Sequence, residues 1–89
     1  MKTIWKYNLE TKDVQFINMP KDAKILTIQV QQGMLMLWAL VNSSNTNEVK
    51  KIVIFGTGNP IDCNINNLKY IGTYQLLDSA FIGHVFEEL

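Results

Sequence analysis

One histidine, one cysteine, scattered carboxylates and a glycine-rich loop are the groups in this 89-residue chain that invite a chemical reading. Catalysis by His84 needs an acid or nucleophile within hydrogen-bond reach, and metal binding needs further ligands. The alternation Ile82, His84, Phe86 instead places it on one apolar face of a strand, which predicts a packed histidine of the core or an interface. Cys63 sits beside Asp62, whereas a reactive thiol wants cationic neighbours or a helix N-terminus. Asp62, Asp78, Glu87 and Glu88 show no spacing that pairs two of them as an acid–base dyad. The expectation is a non-enzyme with no catalytic residue, no metal ligands and no cofactor.

The most suggestive segment is the loop Gly56, Thr57, Gly58, Asn59, Pro60. Glycine-rich turns can aim successive backbone N–H groups at an anion and let a ligand approach the main chain. This one lacks the Gly-Lys-Ser/Thr ending of a P-loop and the third glycine of a dinucleotide fingerprint. Trp5, Tyr7, Trp38, Tyr70 and Tyr74 supply ring faces that stack on a base or anchor a partner. The expected ligand contacts are Gly56, Thr57, Gly58, Asn59, Trp38, Tyr70, Tyr74 and Lys69, with Lys50 and Lys51 as further point charges. Each has a plain structural reading beside this one: a turn for the glycines, the core for the aromatics, a solvated surface for the lysines.

The elements that would position these residues read as strands. β-branched and aromatic residues cluster in short runs between turn signals, and few segments sustain a helical period. Runs at 5–9, 14–19, 26–31, 34–41, 49–55, 68–77 and 80–87 fit this pattern. Pro20 stops the second run, Gln32-Gly33 supplies a tight turn after the third, and Asp78-Ser79 a turn after the sixth. In the third run Leu26, Ile28 and Val30 alternate with polar residues. Residues 76–82 alternatively form a short helix. The predicted fold is all-β: one domain over 1–89, a small antiparallel sandwich or barrel of six to seven strands, with at most one short helix.

Composition narrows the partners. Eight lysines offset eight acidic residues and there is no arginine, so neither the basic surface of a duplex nucleic-acid binder nor the acidic face of a DNA mimic is present. A single cysteine permits no intramolecular disulfide. The N-terminal residues lack the apolar run of a signal peptide, and 34–41 is far too short to span a membrane. A cytoplasmic location without membrane association is expected. Run 34–41, and run 49–55 from Ile52 onward, are apolar on both faces, and so short a chain buries only roughly 60 to 65 % of its surface alone. Homo-oligomerisation through one of these strands follows as an expectation.

The segments Ile4-Trp5-Lys6-Tyr7, Leu37-Trp38-Ala39-Leu40-Val41, Gly56-Thr57-Gly58-Asn59-Pro60-Ile61, Tyr70-Ile71-Gly72-Thr73-Tyr74-Gln75 and His84-Val85-Phe86-Glu87, in this order, resemble a group of short, uncharacterised bacteriophage and prophage proteins. The resemblance spans almost the whole chain. It implies a small phage accessory protein acting in the host cell cytoplasm by stoichiometric binding, and counter-defence by sequestering a nucleotide immune signal is the first expectation. A protein-interaction module that inhibits a host protein or assists virion assembly is the alternative, and a small signal-degrading enzyme the third.

Overall fold

The structure is a computed structural model, and it describes residues 1–76 and 80–89. Seven strands follow in chain order: β1 (Lys2–Asn8), β2 (Val14–Pro20), β3 (Lys24–Gln31), β4 (Met34–Asn42), β5 (Asn47–Gly56), β6 (Leu68–Leu76) and β7 (Phe81–Glu88). They build two antiparallel sheets, one of three strands in the order β1-β4-β3 and one of four in the order β2-β5-β7-β6. The all-β sandwich predicted from the pattern of runs and turns is the fold. Among the described residues the one helical turn is a 3-10 turn at Ile65–Asn67, away from the 76–82 stretch. Of that stretch, Leu76 closes β6 and Phe81 and Ile82 open β7, while the expected turn at 78–79 lies outside the described residues.

Local chemistry explains the ends of the strands. Gln32 and Gly33 both have positive φ, 52° and 77°, as a two-residue hairpin turn of the primed type requires, and they join β3 to β4. Pro20 does not precede the end of β2 but is its last residue, opposite Asn47. β2 is an edge strand, where a missing N–H leaves no ladder bond unmade. Buried Gln15 fastens the loop before β2: its Oε1 accepts from Glu10 N at 3.0 Å and its Nε2 donates to Glu10 O at 2.7 Å.

The core lies between the sheets and is mainly aliphatic. Leu35, Leu37, Ala39 and Val41 of β4 face Ile52 and Ile54 of β5 and Val85 of β7, with Met19 and Ile28 completing it. The Leu26, Ile28, Val30 alternation needs a correction. A bulge between Ile25 and Thr27 turns Ile25 inward with Ile28 and leaves Leu26 42 % exposed, because the extra residue shifts the pleat by one. The aromatics also divide differently from a core set. Tyr74 alone among them is buried; Tyr7 and Trp38 are half-buried, and Trp5 and Tyr70 are exposed. Two glycines permit close approach. A Cβ on Gly72 would stand 2.9 Å from Ile28 across the sheets, and one on Gly83 would stand 2.6 Å from the Tyr74 ring.

The two-sided apolar strands find different partners. On β4 the second face, Met34, Met36, Trp38 and Leu40, forms a stripe along the open side of the three-stranded sheet. On β5 the second face is partly covered from within the chain, and that cover builds the candidate site.

Candidate functional site: a groove under a crossing segment

β5 and β6 both pair antiparallel with β7, so they run in the same direction with β7 between them. The connection between them, residues 57–67, must therefore return along the full length of the sheet. The inner face is occupied by the second sheet, so the segment crosses the outer one. Val53 records this crossing: it points away from the core cluster yet is only 4 % exposed. Between segment and sheet lies a groove of about 500 Å³. Val14, Val53 and Phe55 form its floor, and Asn59, Pro60 and Cys63 form the wall contributed by the crossing segment.

The rim is acidic. Asp13, Asp62 and Glu88 line it together with Lys51, which is held by Glu88 at 3.2 Å. Asp13 and Asp62 have no ion-pair partner among the described residues. An anion entering here meets uncompensated carboxylates, whereas an ammonium or guanidinium group meets two acceptors beside an apolar floor.

Next to the groove, on the same outer face, an aromatic row runs across the sheet. Phe55 and Phe86 meet edge-on at 5.9 Å between ring centroids, and Tyr70 meets Phe86 at 5.4 Å. Beside this row His84 is held at both ring nitrogens by hydroxyls: Nε2 lies 2.7 Å from Thr57 Oγ1 and Nδ1 3.0 Å from Thr73 Oγ1. Thr73 Oγ1 is in turn 2.6 Å from the Tyr70 hydroxyl. His84 is thus half-buried and satisfied, but on the outer face of the sheet.

This chain of hydroxyls has a limited chemical repertoire. Thr57 donating to Nε2 would be the first half of a nucleophile–base pair. The second half, a carboxylate at Nδ1 to stabilise an imidazolium, is replaced by the neutral Thr73. An oxyanion would need free backbone donors near Thr57. Thr57 N already donates to Ile82 O at 3.3 Å, and Asn59 N to Gly56 O at 3.1 Å. The same two bonds draw these N–H groups away from an anion nest in residues 56–60. Gly58, with φ of 87°, turns the loop in a conformation that L side chains resist.

The structure brings some of the expected ligand contacts together and separates others. Gly56, Thr57, Gly58 and Asn59 stand at one end of the four-stranded sheet, and Tyr70 joins Thr57 through Thr73 and His84. Tyr74 is in the core at 4 % exposure, lying over Gly83. Lys69 pairs in register with Glu87, four residues along β7 from Gly83, the partner of Gly56. Trp38 lies on the open face of the other sheet. Lys50 is held by Glu87 at 3.3 Å and Glu48 at 3.6 Å, and Lys51 by Glu88. Sequence reasoning missed Thr73 and the groove-lining Asp13 and Phe55. The alternation of β5, which turns Ile52 and Ile54 inward and so Val53 and Phe55 outward, was a usable signal for Phe55; for Thr73 there was none.

Two phenols are perturbed. Burial pushes both Tyr7 and Tyr74 above the ordinary phenol range. The nearby Thr11 side chain tempers the rise at Tyr74 without completing a hydrogen bond, for the buried hydroxyls of Tyr7 and Tyr74 both lack a partner within bonding distance.

The architecture is that of a small antiparallel sandwich with one face roofed by its own crossing segment. The family-model comparison matches residues 1–89, and the chain belongs to the family described as a domain of unknown function, DUF7352. No curated protein and no solved structure matches it.

Proposed function

We propose that this protein acts by stoichiometric binding, and that the groove takes a basic, partly apolar segment of a partner protein. The observation that carries the reading is the pairing of an apolar floor, Val53 and Phe55, with two unpaired carboxylates, Asp13 and Asp62. A lysine or arginine side chain matches that combination: its stem lies along the floor while its charge reaches the rim. The absence of a carboxylate at His84 and the internally bonded loop amides support a non-catalytic role. In the phage setting implied by the sequence resemblance, the partner is a host protein that the domain blocks.

The test is calorimetric titration with a lysine-rich amphipathic model peptide. Binding that weakens about tenfold in an Asp13→Asn, Asp62→Asn variant, and again in Phe55→Ala, with melting temperatures retained, is the expected result. A groove that ignores the peptide at low ionic strength, or variants that bind it unchanged, would overturn the reading.

A further inference from the structure

We propose a second site, on the opposite face of the sandwich, that binds the phosphate group of a ligand through Lys2, Lys21 and Lys24. Three elements bring these lysines together around a cavity of about 260 Å³. Lys2 of β1 pairs with Asn42 and Lys24 of β3 with Leu40, so the two flank the end of β4 from either side. Lys21 comes from the turn after β2, and this turn is fixed. Its backbone N donates to Thr46 O at 2.7 Å, and its carbonyl accepts from Asn45 Nδ2 at 2.9 Å.

Positive charge accumulates at this end of the molecule. Among the described residues Lys12, Lys50 and Lys51 each hold a carboxylate, whereas Lys2, Lys21 and Lys24, like Lys6 and Lys69, hold none; these three alone converge on one cavity. One carboxylate, that of Asp22, lines the cavity, so three positive charges face one negative. Asn42 adds a donor: its Oδ1 already accepts from Ser44 N at 3.1 Å, which directs its amide N–H groups to other partners. Convergent ammonium groups with an amide donor suit a doubly charged phosphate, which each lysine meets as a point charge.

The cavity is smaller than the roughly 300–1,000 Å³ of sites that enclose a whole organic ligand. It fits the charged group and leaves the rest of the ligand outside. The surface beside it is apolar. Leu40 lines the cavity, Ile4 pairs with Leu40, and Trp38 follows on the same face two residues along β4, about 7 Å away. The ligand is therefore a phosphate carried on an aromatic or aliphatic body. Free nucleoside phosphates and phospholipid headgroups share this chemistry. The site does not depend on the groove, which lies on the other sheet.

Amide NMR titrations with inorganic pyrophosphate and with ADP, and flotation with phosphatidylglycerol-containing or pure phosphatidylcholine vesicles, test the proposal. The expected result is localised shifts at Lys2, Lys21, Lys24 and Asn42, with affinity falling at least tenfold in a Lys2→Gln, Lys21→Gln, Lys24→Gln variant and unchanged in Lys69→Gln. Tighter binding of ADP than pyrophosphate, lost in Trp38→Ala, assigns the body to a nucleoside. Flotation with anionic but not neutral vesicles, sensitive to the same triple substitution, assigns it to a lipid. No localised shift and no flotation, or a triple variant that binds as the parent does, would overturn the site.

Discussion

Replacing Gly83 by alanine is the sharpest probe of how the core is assembled. A Cβ at this position would meet two ring carbons of Tyr74 at 2.6 and 2.7 Å and its hydroxyl oxygen at 2.8 Å. Carbon atoms in contact sit about 3.5–4.0 Å apart, so the ring must retreat by roughly 1 Å. It has little room to do so: Tyr74 is 4 % exposed and rests against Phe81 at 6.0 Å between centroids. Overpacking of this kind costs about 1–3 kcal/mol. Alanine recovers about 0.4–1 kcal/mol by restricting the unfolded chain, since Gly83 has no left-handed backbone to lose. The expected net loss is about 1–2 kcal/mol, read as a lower urea midpoint at constant slope. Tyr74→Leu removes the obstructing ring at its own cavity cost. Gly83→Ala introduced into that background should then be close to neutral, giving a coupling of at least about 1 kcal/mol in the double-mutant cycle. An alanine variant as stable as the parent, or an equal loss in both backgrounds, would refute the account of Gly83 as the seat of the ring.

Other expectations follow from the same packing. The folded phenols of Tyr7 and Tyr74 ionise above the unfolded value of about 10, so their contribution is complete below that pH and disappears as pH rises through the raised values. Urea melts between pH 9 and 11 (roughly, one unit either side of that value) should show this alkaline loss, and a Tyr7→Phe, Tyr74→Phe variant should show less of it while gaining stability at neutral pH, since it removes two unpartnered hydroxyls. His84→Ala should lower stability by about 1–3 kcal/mol through a cavity and two abandoned hydroxyls, with thermal melting as the readout. Gly58→Ala should cost about 1–2 kcal/mol from its positive φ alone, because nothing lies within 4 Å of the added Cβ; Gly58→Asn should cost less.

Strands and turns were legible in the chain because they are written locally. The Gln32-Gly33 pair gives the hairpin between β3 and β4, and the apolar run 34–41 gives β4 itself, although the cover that its two-sided pattern predicts is present on one face only within the chain. The bulge in β3 was not legible: Leu26 and Ile25 are equally apolar, and only pairing with β4 decides which turns inward. The site was less legible still. Trp38 and Tyr70 look equivalent in sequence, but long-range pairing puts them on different sheets. His84 reads as apolar-faced from its own strand. Its hydroxyl partners come from 27 residues and 11 residues away, distances over which side-chain alternation carries no information.

The crossing segment also bears on how the chain reaches its fold. β7, the last strand in chain order, stands between β5 and β6, so the four-stranded sheet is completed from the middle. Before β7 arrives, β5 has only β2 beside it and β6 has no neighbour at all, which leaves unpaired strand edges open to other chains. β6 can pair with β7, its neighbour in the chain, but β7 reaches β5 only when residues 57–67 and β6 have closed a loop across the sheet. A fold dominated by such distant pairings belongs to the slow end of small-domain folding, on the order of milliseconds to seconds. Substitutions in β7 that leave the folded contacts intact should therefore act on the yield of folded protein more strongly than on its melting temperature.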